Sequence, residues 1–199
     1  MSNNILKLEC YDVTMEEDKA WFFCVRKNIL CEFDKRRNKV TILAEISEKT
    51  KCGDILYCSI KKVKNKIVLI PWDSFQISIY DLDTNCFQQL VLESIIEEHK
   101  NIEKGRFWTS FVYDKYVYLA GFNYPAIIRL DTVSMGVEYL REWISIIGEN
   151  KNGYFVDSLV IGTEAWLSCG SCNFMLKMDL VTNEFTYYKI PVSVSGLGA

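Results

Sequence analysis

Asn28-Ile-Leu-Cys-Glu-Phe-Asp34, Gln76-Ile-Ser-Ile-Tyr-Asp81, Ala126-Ile-Ile-Arg-Leu-Asp131 and Phe174-Met-Leu-Lys-Met-Asp179 are four versions of one pattern. Each is an apolar, strand-like run that closes on an aromatic or aliphatic residue and then Asp. The four Asp residues stand 47, 50 and 48 positions apart. A self-similar period of that size points to a β-propeller, in which each repeat folds as one four-stranded antiparallel blade. The chain reads as a single all-β domain over residues 1–199, with repeats at approximately 5–50, 51–102, 103–150 and 151–193.

The rest of the repeat follows from these anchors. Thirteen residues upstream stand Trp21, Val68, Tyr118 and Trp166, inside short β-branched and aromatic runs that read as second strands. First strands are expected at 6–13, 55–63, 107–112 and 155–161, three of them preceded by Gly53, Gly105 and Gly153. Glycine supplies the positive φ that a tight entry turn needs. After each anchor comes a turn in which Asp and Asn bond their own backbone. Fourth strands are expected at 39–43, 86–92, 136–140 and 184–190. Residues 91–100 and 137–147 carry apolar residues near helical spacing, among them Leu140, Ile144 and Ile147. The register makes the first half of the latter a strand, with a short helix expected at one or both places.

Composition narrows the function classes. The 199 residues are 49% hydrophobic and 25% charged, which is globular, and the net charge is −3. Nucleic-acid binding would want a broad cationic face. The one cluster, Lys61-Lys62-Val63-Lys64-Asn65-Lys66, reads as a solvated turn. No leader-like N-terminus and no run near the ~18 apolar residues of a membrane span occurs, so the cytoplasm is the expected setting. The eight cysteines lack a framework spacing and suit buried thiols.

Over roughly residues 6–190 the pattern resembles the bacterial kelch-like and related β-propeller repeats, whose strands run outward from a central axis. The chain has neither the double-glycine kelch signature nor a Trp-Asp terminus. The resemblance therefore implies fold, and no functional residue is carried over from it. Four blades suit a closed ring, an open arc of a longer propeller, or half of an eight-blade ring completed by a dimer. The open or incomplete arc is favoured, and self-association through its apolar end faces is expected.

Candidate sites follow from the topology. Hairpins between second and third strands share a face with the segments entering each blade. They place Arg26, Lys27, Trp72, Asp73, Phe122, Asn123, Tyr124 and Asn173 on one face, where a protein or a small polar ligand such as a carbohydrate would meet it. Trp72 is the expected anchor, and packing between hairpins is the plainer reading of the aromatics. Asp12, Ser59, Ser110 and Ser158 fall on inner strands and would line the axis. Asp12 and Asp157 are the inner carboxylates that could support hydrolysis if suitably spaced. Cys169-Gly-Ser-Cys172 sits on a hairpin, away from the helix N-terminus a redox motif uses, and Cys24 occupies the same repeat position as Cys169. His99, the single histidine, lies in a charged loop. No catalytic constellation, cofactor loop or metal set emerges. The expectation is a non-catalytic binding or scaffolding module; the alternatives are a propeller enzyme acting on a glycan or other polar substrate, or a fragment of a longer propeller.

Overall fold

The computed structural model describes residues 8–47, 55–93, 105–148, 153–170 and 173–191. They form four separate four-stranded antiparallel sheets, each confined to one repeat and each ordered as its strands occur in the chain. The first holds β1 (Val13–Glu16), β2 (Lys19–Cys24), β3 (Ile29–Asp34) and β4 (Lys39–Glu45). The second holds β5 (Tyr57–Val63), β6 (Lys66–Pro71), β7 (Gln76–Asp81) and β8 (Cys86–Val91). The third holds β9 (Phe107–Tyr113), β10 (Tyr116–Gly121), β11 (Ile127–Asp131) and β12 (Val137–Leu140), followed by the single turn α1 (Ile144–Ile147). The fourth holds β13 (Phe155–Ile161), β14 (Glu164–Cys169), β15 (Phe174–Asp179) and β16 (Phe185–Lys189).

The anchor Asp repeats because the turn after β3, β7, β11 and β15 needs it. Oδ1 of Asp81 accepts from the amides of Asp83 and Thr84 at 2.9 and 3.0 Å. Asp131 does the same with Val133 and Ser134 at 2.8 and 3.1 Å, and Asp179 with Val181 and Thr182 at 2.8 and 2.9 Å. Asp34 accepts from Arg37 at 2.9 Å. Four residues on, the chain turns left-handed at Asn38, Asn85, Met135 and Asn183, with φ between 48° and 62°. Asn tolerates that region through its own backbone bonding, which explains its recurrence there.

Sheet packs on sheet through three apolar clusters. Trp21, Phe23 and Leu30 of the first sheet meet Tyr57, Ile67 and Leu69 of the second. Val68, Ile70 and Ile79 meet Val117, Leu119 and Ile128 of the third. Tyr118, Ala120 and Ile127 meet Phe155, Leu167 and Leu176 of the fourth. In each junction the forward face uses positions 13 and 11 before the anchor, and the receiving face uses positions 14 and 12 before its own. Period-two alternation along each second strand makes this possible.

A main-chain relay reinforces the packing at the hairpins between second and third strands. The Trp72 amide donates to Leu56 O (2.8 Å), and Trp72 O accepts from Arg106 N (2.9 Å). Arg106 O accepts from Phe122 N (2.7 Å), Phe122 O from Tyr154 N (2.7 Å), and Tyr154 O from Gly170 N (3.3 Å). The relay thus runs unbroken from the second sheet to the fourth. Gly105 (φ 69°) and Gly153 (φ 92°) shape the entries to the third and fourth sheets, as the sequence suggests, while Gly53 lies outside the described residues.

Among the described residues neither a hydrogen-bonded strand pairing nor an apolar cluster joins the fourth sheet to the first, so the array as described is not closed into a ring. Two local expectations are corrected and a third is met. The first strand of the first repeat begins at Val13, and the described residues before it, 8–12, are not strand; residues 6 and 7 lie outside the described residues. The basic cluster is not one solvated turn: Lys61 and Lys62 belong to β5 and pair with Asp12 and Glu16, and Lys66 pairs with Asp81. Of the two helix-like stretches, 137–147 resolves into β12 and α1, with buried Trp143 edge-on to Tyr154 and Phe155 at 4.8 and 4.9 Å. The other lies mostly outside the described residues. No helix among them is long and apolar enough to cross a membrane.

Two stability predictions follow. A Cβ on Gly121 would sit 1.8 Å from the Tyr124 carbonyl oxygen, so Gly121→Ala should cost about 1–3 kcal/mol or more in a denaturant titration. The second concerns acid. Hydrogen bonds from Lys66 and the turn amides hold Asp81 at about 2, and the Lys115 ammonium holds Asp131 at about 2. Both lie below the ordinary value of about 3.9. Their contribution is complete above about pH 4 and is lost as pH falls toward 2. Thermal melts should show that loss, and an Asp81→Asn, Asp131→Asn protein should show a shallower one.

Candidate functional site: the axial cleft

Three inner strands carry a β-bulge at one repeat position. Pairing with the second strand shifts between Tyr57 and Ser59, between Ala120 and Gly121, and between Phe155 and Asp157. The extra residues are Cys58, Trp108 and Val156, each 23 positions before its anchor; Tyr11 holds that position in the first repeat. A bulge re-aims the side chain it carries. All four line one cleft of about 420 Å³. The next residue of each repeat (Asp12, Ser59, Thr109, Asp157) lines it too, together with Lys61, Ser110 and Ser158. The four axis-lining candidates, Asp12, Ser59, Ser110 and Ser158, therefore stand in a single cavity.

Its polar groups are connected. Ser59 Oγ donates to Asp12 Oδ2 at 2.6 Å, so Ser110 Oγ supplies the proton of the 2.9 Å Ser59–Ser110 contact. Lys61 Nζ and the Ile60 amide donate to the same Asp12 oxygen at 2.6 and 3.1 Å. Thr109 and Ser158 share a 2.7 Å hydroxyl–hydroxyl bond. Burial pushes the Asp12 carboxyl up, but the bonds from Lys61 and Ser59 outweigh it and hold the group below the usual carboxylate range. Asp157 Oδ1 accepts from the Ser158 amide at 2.8 Å. The Cys58 thiol, buried and donating to Phe107 O at 3.0 Å, is pushed up to about 12 and stays protonated.

Capacity for a ligand remains. A hydroxyl has one proton and two lone pairs. Ser110 keeps acceptor capacity, the Thr109–Ser158 pair keeps one proton, and Lys61 uses one of three ammonium protons on Asp12. The Trp108 indole, 49% exposed, forms an aromatic wall beside them.

The hairpin candidates divide. Trp72 and Phe122 are half-buried and stack at 5.8 Å, and Trp72 meets Trp108 edge-on at 4.9 Å. Their rings also lie over Gly105 and Gly153. They support Trp108 from behind. Tyr124 is buried (1% exposed), its hydroxyl donating to Glu93 O at 3.1 Å, and it offers no stacking face. Asp73 is also buried, beside the buried Arg106, whose guanidinium covers the Phe75 ring at 3.8 Å and donates to Asp73 O at 2.8 Å. Arg26 pairs with Glu9 at 3.0 Å; Lys27 is exposed, and Asn123 and Asn173 are half-buried. Cys24 lies with Cys31, not with a hairpin thiol, while Cys172 and His99 fall outside the described residues.

Sequence reasoning missed Trp108, Lys61 and Thr109. The signal for Trp108 was its distance of 23 residues from the anchor, shared with Tyr11, Cys58 and Val156.

No protein-family model matches the chain, and no curated protein matches it. Solved structures do. Virginiamycin B lyase from Staphylococcus aureus superposes with a TM-score of 0.70 at 14% identity, over 94% of this chain and 57% of that one. The extracellular domain of BT4673 from B. thetaiotaomicron gives 0.63 at 9% identity, over 90% of this chain and 23% of that one. The computationally designed Ika4 protein gives 0.55 at 8% identity, over 92% of each chain. At these identities the likeness is one of fold: the chain is a β-propeller-type array that spans little more than half of the lyase. The neighbours include a lyase and an extracellular domain, so shared fold leaves function to the site.

The wall beneath Trp108 has a testable role. Trp72→Ala removes its edge contact and uncovers Gly105, and should cost about 3 kcal/mol in stability. It should also red-shift the Trp108 emission, read in a background where the other tryptophans are Phe.

Proposed function

We propose that the chain is a non-catalytic binding module whose axial cleft takes a small polyhydroxylated ligand of the carbohydrate class. The observation that carries this reading is the convergence of Ser110, Thr109, Ser158 and Lys61 beside the exposed Trp108 indole in about 420 Å³. That volume falls within the ordinary range of small-molecule sites. Hydroxyls that both give and accept match a sugar's alternating groups, and a flat indole covers the apolar face of its ring.

The competing glycan-hydrolase reading asks one carboxyl to stay protonated near neutral pH. Asp12 is pulled the other way, and one of its oxygens is filled by three donors. That favours Asp12 as a structural anion that aims Lys61 and Ser59.

The test is tryptophan emission titrated with neutral mono- and disaccharides, in parallel with product analysis. A saturable change is expected with at least one sugar, and Trp108→Ala should weaken binding tenfold or more, about 1.4 kcal/mol. A sugar bound equally well by Trp108→Ala places the ligand elsewhere. Hydrolysis that disappears in Asp12→Asn or Asp157→Asn replaces the binding reading with the enzymatic one.

A further inference from the structure

The two ends of the arc match each other. Among the described residues, no sheet packs on the forward face of the fourth sheet or on the receiving face of the first. At the positions that elsewhere join sheet to sheet, the receiving face carries Ala20 and Phe22, and the forward face carries Trp166 and the polar Ser168. The forward face exposes Leu159 and Ile161 (61% and 59%) around Trp166, which stacks on Tyr188 at 5.2 Å. The receiving face exposes Val13, Met15 and Ile42 (46%, 66% and 55%) around Phe22 and Cys31.

One position pair reads the match directly. At each junction the residue 18 before the forward anchor faces the residue 19 before the receiving anchor. Between first and second sheets these are Glu16 and Lys62, which form an ion pair. Between second and third they are Val63 and Val112, in one apolar cluster. Between third and fourth they are Tyr113 and Val160, again in one cluster. At the open ends they are Ile161 and Met15, both apolar and both exposed. The main-chain relay is left complementary as well. It stops at Gly170 O, an acceptor. The residue at the receiving position of the first sheet is Glu9, whose amide, like Gly170 O, has no main-chain partner among the described residues.

We propose that the partner of both faces is a second copy of this chain. Two arcs join head to tail, Ile161 of each against Met15 of the other, with Glu9 N donating to Gly170 O across both junctions. The two junctions are identical and related by a two-fold axis along the ring axis, so the contact closes at two copies and eight sheets instead of growing into a fibre. The axial cleft, walled on one side only by Tyr11 and Asp12 and on another by Asp157 and Ser158, would then be enclosed by both copies.

The test is light scattering coupled to gel filtration on the full chain. The expected mass is twice 23.1 kDa and constant with concentration. A monomer across the micromolar range, or a mass that grows with concentration, overturns the proposal. Ile161→Glu and Met15→Lys alter exposed side chains, and circular dichroism confirms that each variant is folded. Each alone should weaken the dimer tenfold or more. An equimolar mixture should restore it, because one junction becomes Glu–Lys, like Glu16–Lys62, and the other stays Ile–Met. A single variant that remains fully dimeric, or a mixture that stays monomeric, shows that the faces do not pair head to tail.

Discussion

The hairpin relay sets the spacing on which the site depends. Trp72 and Phe122 each give an amide to the entry segment of their own sheet and a carbonyl to the entry of the next. A main-chain bond has a narrow length and direction, so the next sheet starts at a fixed place. The large side chains at these positions then pack where the relay puts them, over Gly105 and Gly153. Any side chain on those glycines would meet an aromatic ring, and their positive φ values disfavour one as well. Relay, glycine and ring form one unit, repeated at the two junctions that border the aromatic wall.

The bulges act on the same frame from the axial side. A regular inner strand would send alternate residues into the two sheet interfaces. One extra residue in each of three strands, with Tyr11 just before β1 in the first repeat, instead frees a row that belongs to neither interface. That row holds Tyr11, Cys58, Trp108 and Val156, four unrelated side chains at one repeat position. The neighbouring row holds Asp12, Ser59, Thr109 and Asp157. Packing constrains the interface positions to apolar residues, whereas the cleft rows differ from blade to blade. Chemistry can therefore vary there without disturbing the stacking of sheets.

The sequence was most legible where local chemistry dictates backbone shape. The anchor Asp and the following Asn announce their turns because side chain and turn lie within a few residues of each other. Strand boundaries followed to within about a residue or two in most of the chain. The first strand of the first repeat was the exception: it starts at Val13, and Asp12 beside it is held by Lys61 of the next sheet, a contact no local pattern shows. Site residues were legible only in part. Hydrophilic residues at the axis stood out against apolar strands, which is how Asp12, Ser59, Ser110 and Ser158 were found. Trp108 was not singled out, because the bulge that turns it into the cleft is invisible to simple alternation. Tyr124 looked exposed because hairpins usually are, yet its ring lies against Phe107 at 5.1 Å beneath the hairpin.

The junction pairs also explain why the sheets stack in one order. Lys62 is only 9% exposed and depends on Glu16 for a counter-charge. Placing an apolar face against it would leave an ammonium buried and unpaired, which costs several kcal/mol. The second sheet therefore accepts the first and rejects a stray forward face ending in Ile161. The first sheet, with Met15 at the equivalent place, has no such charge to satisfy. The ionic pair thus excludes the second sheet's receiving face for Ile161, while Val112 and Val160, the apolar residues at that position in the third and fourth sheets, are already packed within the chain.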